Sequence, residues 1–284
     1  MAPFVGLLAV VECRDVPRAL LAMGKSVSSD AVLREIQQRI EERLSNWPEQ
    51  WQGYHWPGYT LQHTYRVRDL ALTLGGHEHA DAFVLEAAAL LHDIAKPSGD
   101  DHALKGAEEA ERILLGMGLD KATCSAISSA VATHVGTAGE EDPVENRILA
   151  DADYIDANFG LIAVWRYITI RGHRRDPLAV QVAEMGSWLE KRSGAVAELG
   201  MVSGREVGAD RFARMRRFCS GLGKEHEAGR AGPRTWLWQR FTDGAELPDV
   251  QASIEGLESA DGLSEDATVR TFVSELRSEI SGRL

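Results

Sequence analysis

Three separate segments of the chain carry apolar residues at helical spacing, and each sets a histidine on or beside its apolar stripe. His63 opens a stripe continued by Val67, Leu70 and Leu74. His92 lies beside Leu91 on the face made by Val84, Ala88 and Ala95. Ile127, Ala130 and Val131 lead at i+7, i+4 and i+3 to His134. No stretch shows sustained period-two alternation with β-branched residues, so no sheet is expected. The pattern predicts an all-α fold in which three helices each aim an imidazole inward. A single inward histidine is ordinarily satisfied by a backbone carbonyl. Three of them beside a carboxylate are a different case, because unpaired polar groups are costly to bury and one metal ion would satisfy them together.

That carboxylate is Asp93. The spacing predicts a helix over Ala82–Lys96, which puts Asp93 near a C-terminal end, where the helix dipole disfavours an anion. It also follows the apolar run Ala87–Leu91. Lys96, three residues on, would be one partner; a cation shared by His92 and Asp93 explains the pair better. Asp151, Asp153 and Asp156 supply further carboxylates. Residues two apart on a helix point about 200° apart, so only one of Asp151 and Asp153 can face a given site. A solvated acidic face accounts for the other and for Asp156. His102 follows the loop Pro97–Asp101 and opens a helix running to Met117, with Asp101 as its expected N-cap.

The chain has 284 residues, enough for one large domain or two small ones. Residues 1–54 read as an N-terminal helical lead-in, with Ser28, Ser29 and Asp30 capping Ala31–Leu44. Residues 55–240 hold the chemistry and a following set of basic helices. Residues 241–284 read as an acidic, peripheral tail ending in a helix from Asp266 to Ile280. Gly75-Gly76, Pro97–Asp101 and Gly136–Pro143 mark loops. Cys13, Cys124 and Cys219 are too sparse for a disulfide framework and read as reduced thiols of a cytoplasmic protein. Phe4–Val11 is too short to span a membrane and lacks the basic flank of a signal peptide.

The net charge of −12 argues against general nucleic-acid or anionic-membrane binding. It is unevenly spread. Residues 55–160 carry 7 basic and 18 acidic side chains, giving −11, and residues 161–240 carry 15 and 8, giving +7. A small anionic substrate would be repelled by the first region alone, but bound cations, Lys96 and the adjacent basic helices could reverse that locally.

In order along the chain, "QHTYRV" at 62–67, "AALLHDIAKP" at 88–97, "ATHVG" at 132–136 and "ADADYID" at 150–156 resemble the HD-domain superfamily. The resemblance covers roughly 55–160. It extends in weaker form to about 228 through "GLIAVWR" at 160–166 and "ADRFARMRRF" at 209–218. It implies an HD-domain helical bundle, here with additional N- and C-terminal helices. It assigns one metal to His63, His92, Asp93 and Asp153, with Asp151 as the rival for the last place. His102 and His134 fall where the dinuclear branch holds a second metal, with Asp93 as the bridge. One or two divalent transition metals are implied: Fe, Mn, Co or Ni, ahead of Zn or Mg.

The implied activity is hydrolysis of a small phosphorylated substrate, of nucleotide class, by metal-activated water. Asp93 and Lys96 take the catalytic places. Lys96, Arg66 and Arg166 are the candidate phosphate contacts, although Arg66 could equally cover the helix surface, and Arg171–Arg175 is a weaker candidate. Trp51, Trp56, Trp165, Trp188, Trp236 and Trp238 could stack on a base, but core packing suits most of them better. Two rivals share the same pattern. One is a mixed-valent diiron oxygenase that cleaves a C–C or C–P bond; the other is an inactive HD fold serving as a ligand sensor. A homo-oligomer is compatible with the sequence, and no membrane partner is expected.

Overall fold

The computed structural model describes residues 28–45, 55–99, 101–136, 138–243 and 247–282. Within them the chain is all-α, with no β-sheet. Phe4–Val11, Cys13 and Trp51 lie outside the described residues.

The first six helices build one core. In α1 (Ser29–Ser45), Val32, Ile36, Ile40 and Leu44 recur every four residues and all are buried, and the Ser28 hydroxyl accepts from the Ala31 amide as the predicted cap. α2 (Pro57–Glu78) begins with proline at its first position, where the missing N–H costs nothing. It runs through Gly75-Gly76 instead of breaking there. Gly75 is needed for proximity: a Cβ at that position would sit 2.5 Å from Leu85 Cδ2 on the next helix. α3 (Ala82–Leu91) is capped by Asp81, which accepts from the amides of Phe83 and Val84, and it is buried along nearly its whole length. α4 (His102–Gly116), α5 (Lys121–Thr133) and α6 (Val144–Asn158) close around it. Asp101 stands at the N-cap of α4 as expected, but its side chain makes no capping hydrogen bond.

A second core joins α7 (Gly160–His173), α8 (Leu178–Ser193), α9 (Val202–Glu227), α10 (Pro233–Thr242), α11 (Val250–Glu258) and α12 (Ala267–Ile280) to Trp56 and Tyr59 at the start of α2. The C-terminal residues are therefore not peripheral. Val250, Ile254, Leu257, Val269, Phe272 and Leu276 are buried beside Trp165 and Leu237. Apolar burial at about 25 cal/mol per Å² explains why an acidic segment still docks when one stripe of its helices is apolar. Trp56 and Trp165 are core residues. α12 starts as expected, with Asp266 accepting from the Thr268 amide.

The predicted helix over Ala82–Lys96 is shorter in the structure. It stops at Leu91, and the chain then turns through His92–Ala95 into a 3-10 turn at Lys96–Ser98. Pro97 cannot continue a helix, and the three-residue contact from the Ile94 amide to the Leu91 carbonyl tightens the exit. Asp93 thus sits just beyond the helix end.

Candidate metal centre

Two helix faces and three helix ends converge on Asp93. His63 comes from α2, His92 from the C-cap of α3, His102 from the first residue of α4, His134 from the C-cap of α5 and Asp153 from α6. The two oxygens of Asp93 face different partners. Oδ2 lies 3.6 Å from His92 Nε2 and 3.9 Å from His63 Nε2. Oδ1 lies 3.4 Å from His102 Nε2, 3.7 Å from His134 Nε2 and 3.3 Å from Lys96 Nζ. Asp153 closes the Oδ2 side, its Oδ1 being 3.0 Å from His63 Nε2 and 3.8 Å from His92 Nε2.

The backs of the rings fix which nitrogen faces inward. His92 Nδ1 is 2.7 Å from the Ala89 carbonyl, His134 Nδ1 is 2.7 Å from the Val131 carbonyl, and His102 Nδ1 is 3.2 Å from the Gly99 carbonyl. A carbonyl only accepts, so these Nδ1 atoms donate and the Nε2 lone pairs are left facing Asp93. His63 Nδ1 pairs in the same way with Asp156 Oδ2 at 2.7 Å.

The centre of this cluster is buried, and its hydrogen-bonding atoms are not satisfied by protein alone. Both oxygens of Asp93 and the Nε2 atoms of His92 and His134 are buried with no hydrogen-bond partner. So many orphaned donor-set atoms in one place are expected at an ion site and are expensive otherwise. Two groups have ligand atoms close enough together to hold an ion: His63, His92 and Asp93, and then Asp93, His102 and His134. The residues present fit one or two divalent cations.

The electrostatics agree. Burial pushes His92 down to about 4 and, with Lys96, lowers His102. Burial works against protonation of His63 too, but Asp153 and Asp156 outweigh it and raise His63 to about 10. His134 is likewise raised, by Asp93 against burial. Burial alone would raise Asp93, yet His92 and Lys96 hold it well below the usual carboxylate range. An ionised carboxylate among imidazoles is a ready donor set, and the protons that the neighbouring carboxylates favour on His63 and His134 would leave on metal uptake.

Several sequence expectations change here. Asp153, and not Asp151, joins the cluster; Asp151 is buried elsewhere and accepts from the Gly200 and Met201 amides at 2.8 Å each. Neither Asp151 nor Asp156 lies on a solvated face. Arg66 is not placed to clamp a substrate. It is 3% exposed, and its Nε and Nη2 grip Asp156 at 2.9 Å each, behind His63. Arg166 is engaged within the protein, donating to the Tyr59 hydroxyl at 2.8 Å and the Ala157 carbonyl at 2.6 Å. Arg171 is held by Asp176 and Glu184. Lys96 does reach the cluster, but it pairs with Asp93 and lies 3.2 Å from His102 Nε2.

Sequence reasoning missed three neighbours. Asp156 orients His63. Tyr59 stacks on the His63 ring at 5.8 Å with planes 8° apart. His55, 6.1 Å from the His63 ring, has a buried Nδ1 without a hydrogen-bond partner. The spacings of Tyr59 and Asp156, i−4 from His63 and i+3 from Asp153, were the available signals.

Residues 60–158 match the HD domain family. Over that span the chain carries an HD domain. The HD match spans α2 through α6, the elements that carry every member of the cluster. The chain is 26% identical over 153 residues to the uncharacterized protein YpgQ of Bacillus subtilis, covering 50% of this chain and 71% of YpgQ. The crystal structure of YpgQ in complex with ADP superposes with a TM-score of 0.54 at 21% identity, covering 70% of this chain and 97% of that one. An HD-superfamily hydrolase from Bacillus thuringiensis gives 0.55 at 19% identity, covering 71% and 100%. These superpositions show the shared all-α HD fold. No helix among the described residues is long and apolar enough to cross a membrane.

Proposed function

We propose that this HD protein is a metal-dependent phosphohydrolase that acts on a small phosphorylated substrate of nucleotide class. The supporting observation is the position of Asp93, whose two orphaned oxygens each face a separate pair of imidazole Nε2 atoms. His63, His92, Asp93 and Asp153 would hold one cation. Asp93, His102 and His134 would hold a second, making Asp93 the bridge. Mixed nitrogen and oxygen donors suit Fe, Mn, Co or Ni. Such a cation supplies an acidified water near neutral pH and neutralises charge on a phosphoryl group.

The chain's own residues do the remainder. The Nδ1 hydrogen bonds lock the imidazoles in place, so little reorganisation is needed during reaction. Lys96 is the cation of the cluster with access to solvent, its side chain being 20% exposed. Turning from Asp93 toward a phosphoryl oxygen, it would bind and orient substrate. Arg66 and Arg166 support His63 and Tyr59 from behind. The nucleotide class is favoured by the ADP bound to YpgQ, which shares the fold. Cys124 and Cys219 are unpaired and buried, as suits a reducing, cytoplasmic setting.

The test is a release assay. Purified protein supplied with Mn, Co or Fe is incubated with ADP and a panel of nucleotides, in air and without oxygen, and phosphate and pyrophosphate are measured. Metal-dependent release in both atmospheres is expected. Loss of substrate that requires oxygen and yields no phosphate would overturn the proposal in favour of an oxygenase.

A further inference from the structure

Behind His63 a chain of buried charges leads out of the HD-matching residues and into the C-terminal helices. Asp156 already has a full partner in Arg66, which contacts it through two nitrogens. A second guanidinium approaches from α9. Arg211 is 2% exposed, and its Nη1 lies 3.9 Å from Asp156 Oδ1. Its Nη2 donates to the backbone carbonyl of Glu279 on α12 at 3.3 Å.

Glu279 is itself 1% exposed. Its Oε2 accepts from the Ile162 amide in the first turn of α7 at 3.0 Å, and its Oε1 lies 3.6 Å from Arg214 Nη1. The corner preceding α7 is shaped around it. Gly160 has φ +88°, and a Cβ there would overlap the Glu279 carboxylate. Arg211 Nη1 has no hydrogen-bond partner, and Asp156 is the carboxylate it faces. Neutralising Asp156 does not require Arg211, since Arg66 does so. What Arg211 adds is a mechanical link: one end of its guanidinium is tied to α12 and the other bears on the carboxylate that orients His63.

We infer that Arg211 is a positioning residue for the metal centre, holding Asp156 and through it His63, and that Glu279 on α12 keeps Arg211 in place. The inference rests on the cluster binding a cation, and not on which reaction follows. Partners of this kind commonly change metal affinity by about 10- to 100-fold when removed.

The experiment is a Co2+ titration of the full-length protein, followed by visible absorption, for wild type, Arg211→Met, Arg211→Lys and Arg214→Met. Arg214 touches the same Glu279 but not Asp156, so it controls for general disturbance of the network. Arg211→Met is expected to bind Co2+ about tenfold more weakly with an altered visible spectrum. Arg211→Lys should recover most of the affinity, and Arg214→Met should match wild type. A wild-type spectrum and affinity for folded Arg211→Met would overturn the inference, as would equal losses in Arg211→Met and Arg214→Met. Should Arg211→Met fail to fold, Arg211→Gln decides, because it keeps a donor for the Glu279 carbonyl but removes the guanidinium that faces Asp156. A several-fold loss of affinity supports the link, and wild-type binding refutes it. If wild type itself binds no Co2+, the metal centre fails first, which separates that outcome from failure of the link.

Discussion

At the scale of single residues, the cluster shows what spacing can and cannot reveal. His63, His92 and His134 were legible because an imidazole on or beside an apolar stripe has nowhere to go but inward, whereas His102 was legible only from its nearness to His92-Asp93 and from the family resemblance. Asp153 was legible only as one of two alternatives, since a helix face cannot be chosen without its neighbour. Arg66 and Asp156 were misread because their partnership joins residues 90 positions apart, which no local pattern encodes. Their pairing makes a pH prediction. Burial would raise Asp156, but Arg66 and His63 hold it below the usual carboxylate range. A carboxylate depressed in the folded state contributes stability above its unfolded pKa of about 3.9, and that contribution is lost as pH falls toward the folded value. Asp156→Asn should therefore cost about 3 kcal/mol at pH 7 in urea unfolding of the metal-free protein, the usual scale for breaking a buried pair. The gap to wild type should narrow as pH is lowered below about 4. An equal gap at neutral and acid pH would contradict this role.

At the scale of elements, caps and stripes gave α1, α4 and α12 close to their observed bounds, whereas glycine and proline misled. Gly75-Gly76 resembles a break by composition, yet it lies within α2 because α3 packs too closely there to admit a Cβ. The end of α3 was placed several residues late because apolar periodicity continues into a turn that Pro97 terminates. The docking of α12 was not legible at all, since its buried partners lie on α7, α9 and α10. Gly160 is where this docking is most exposed to mutation. Its positive φ and the adjacent Glu279 carboxylate leave no room for a side chain. Gly160→Ala should destabilise the protein by more than about 1 kcal/mol and lower its melting temperature. Unchanged melting would mean that α12 does not seat on the α6–α7 corner as described.

At the scale of the whole molecule, the uneven charge takes on a structural meaning. The acidic region is the one that gathers ligands for cations, and much of the following basic region is spent internally. Arg166 supports Tyr59, Arg171 is held by acidic side chains, and Arg211 reaches Asp156. The basic helices therefore brace the HD bundle more than they present a positive surface, leaving Lys96 as the cation nearest the centre with access to solvent. Under the proposed function, attraction for an anionic substrate would come chiefly from bound cations, which would make the metal central to both binding and chemistry.

The most direct measurement is the metal content per chain, by elemental analysis after equilibration with Mn2+ or Co2+ and removal of free ion, for wild type and Asp93→Asn. Asp93 faces both halves of the cluster, so one isosteric change should empty both. The expected result is one to two ions per wild-type chain and none retained by folded Asp93→Asn. A wild-type chain that binds no transition metal, or an Asp93→Asn variant that keeps its full complement, would contradict a metal centre built on Asp93.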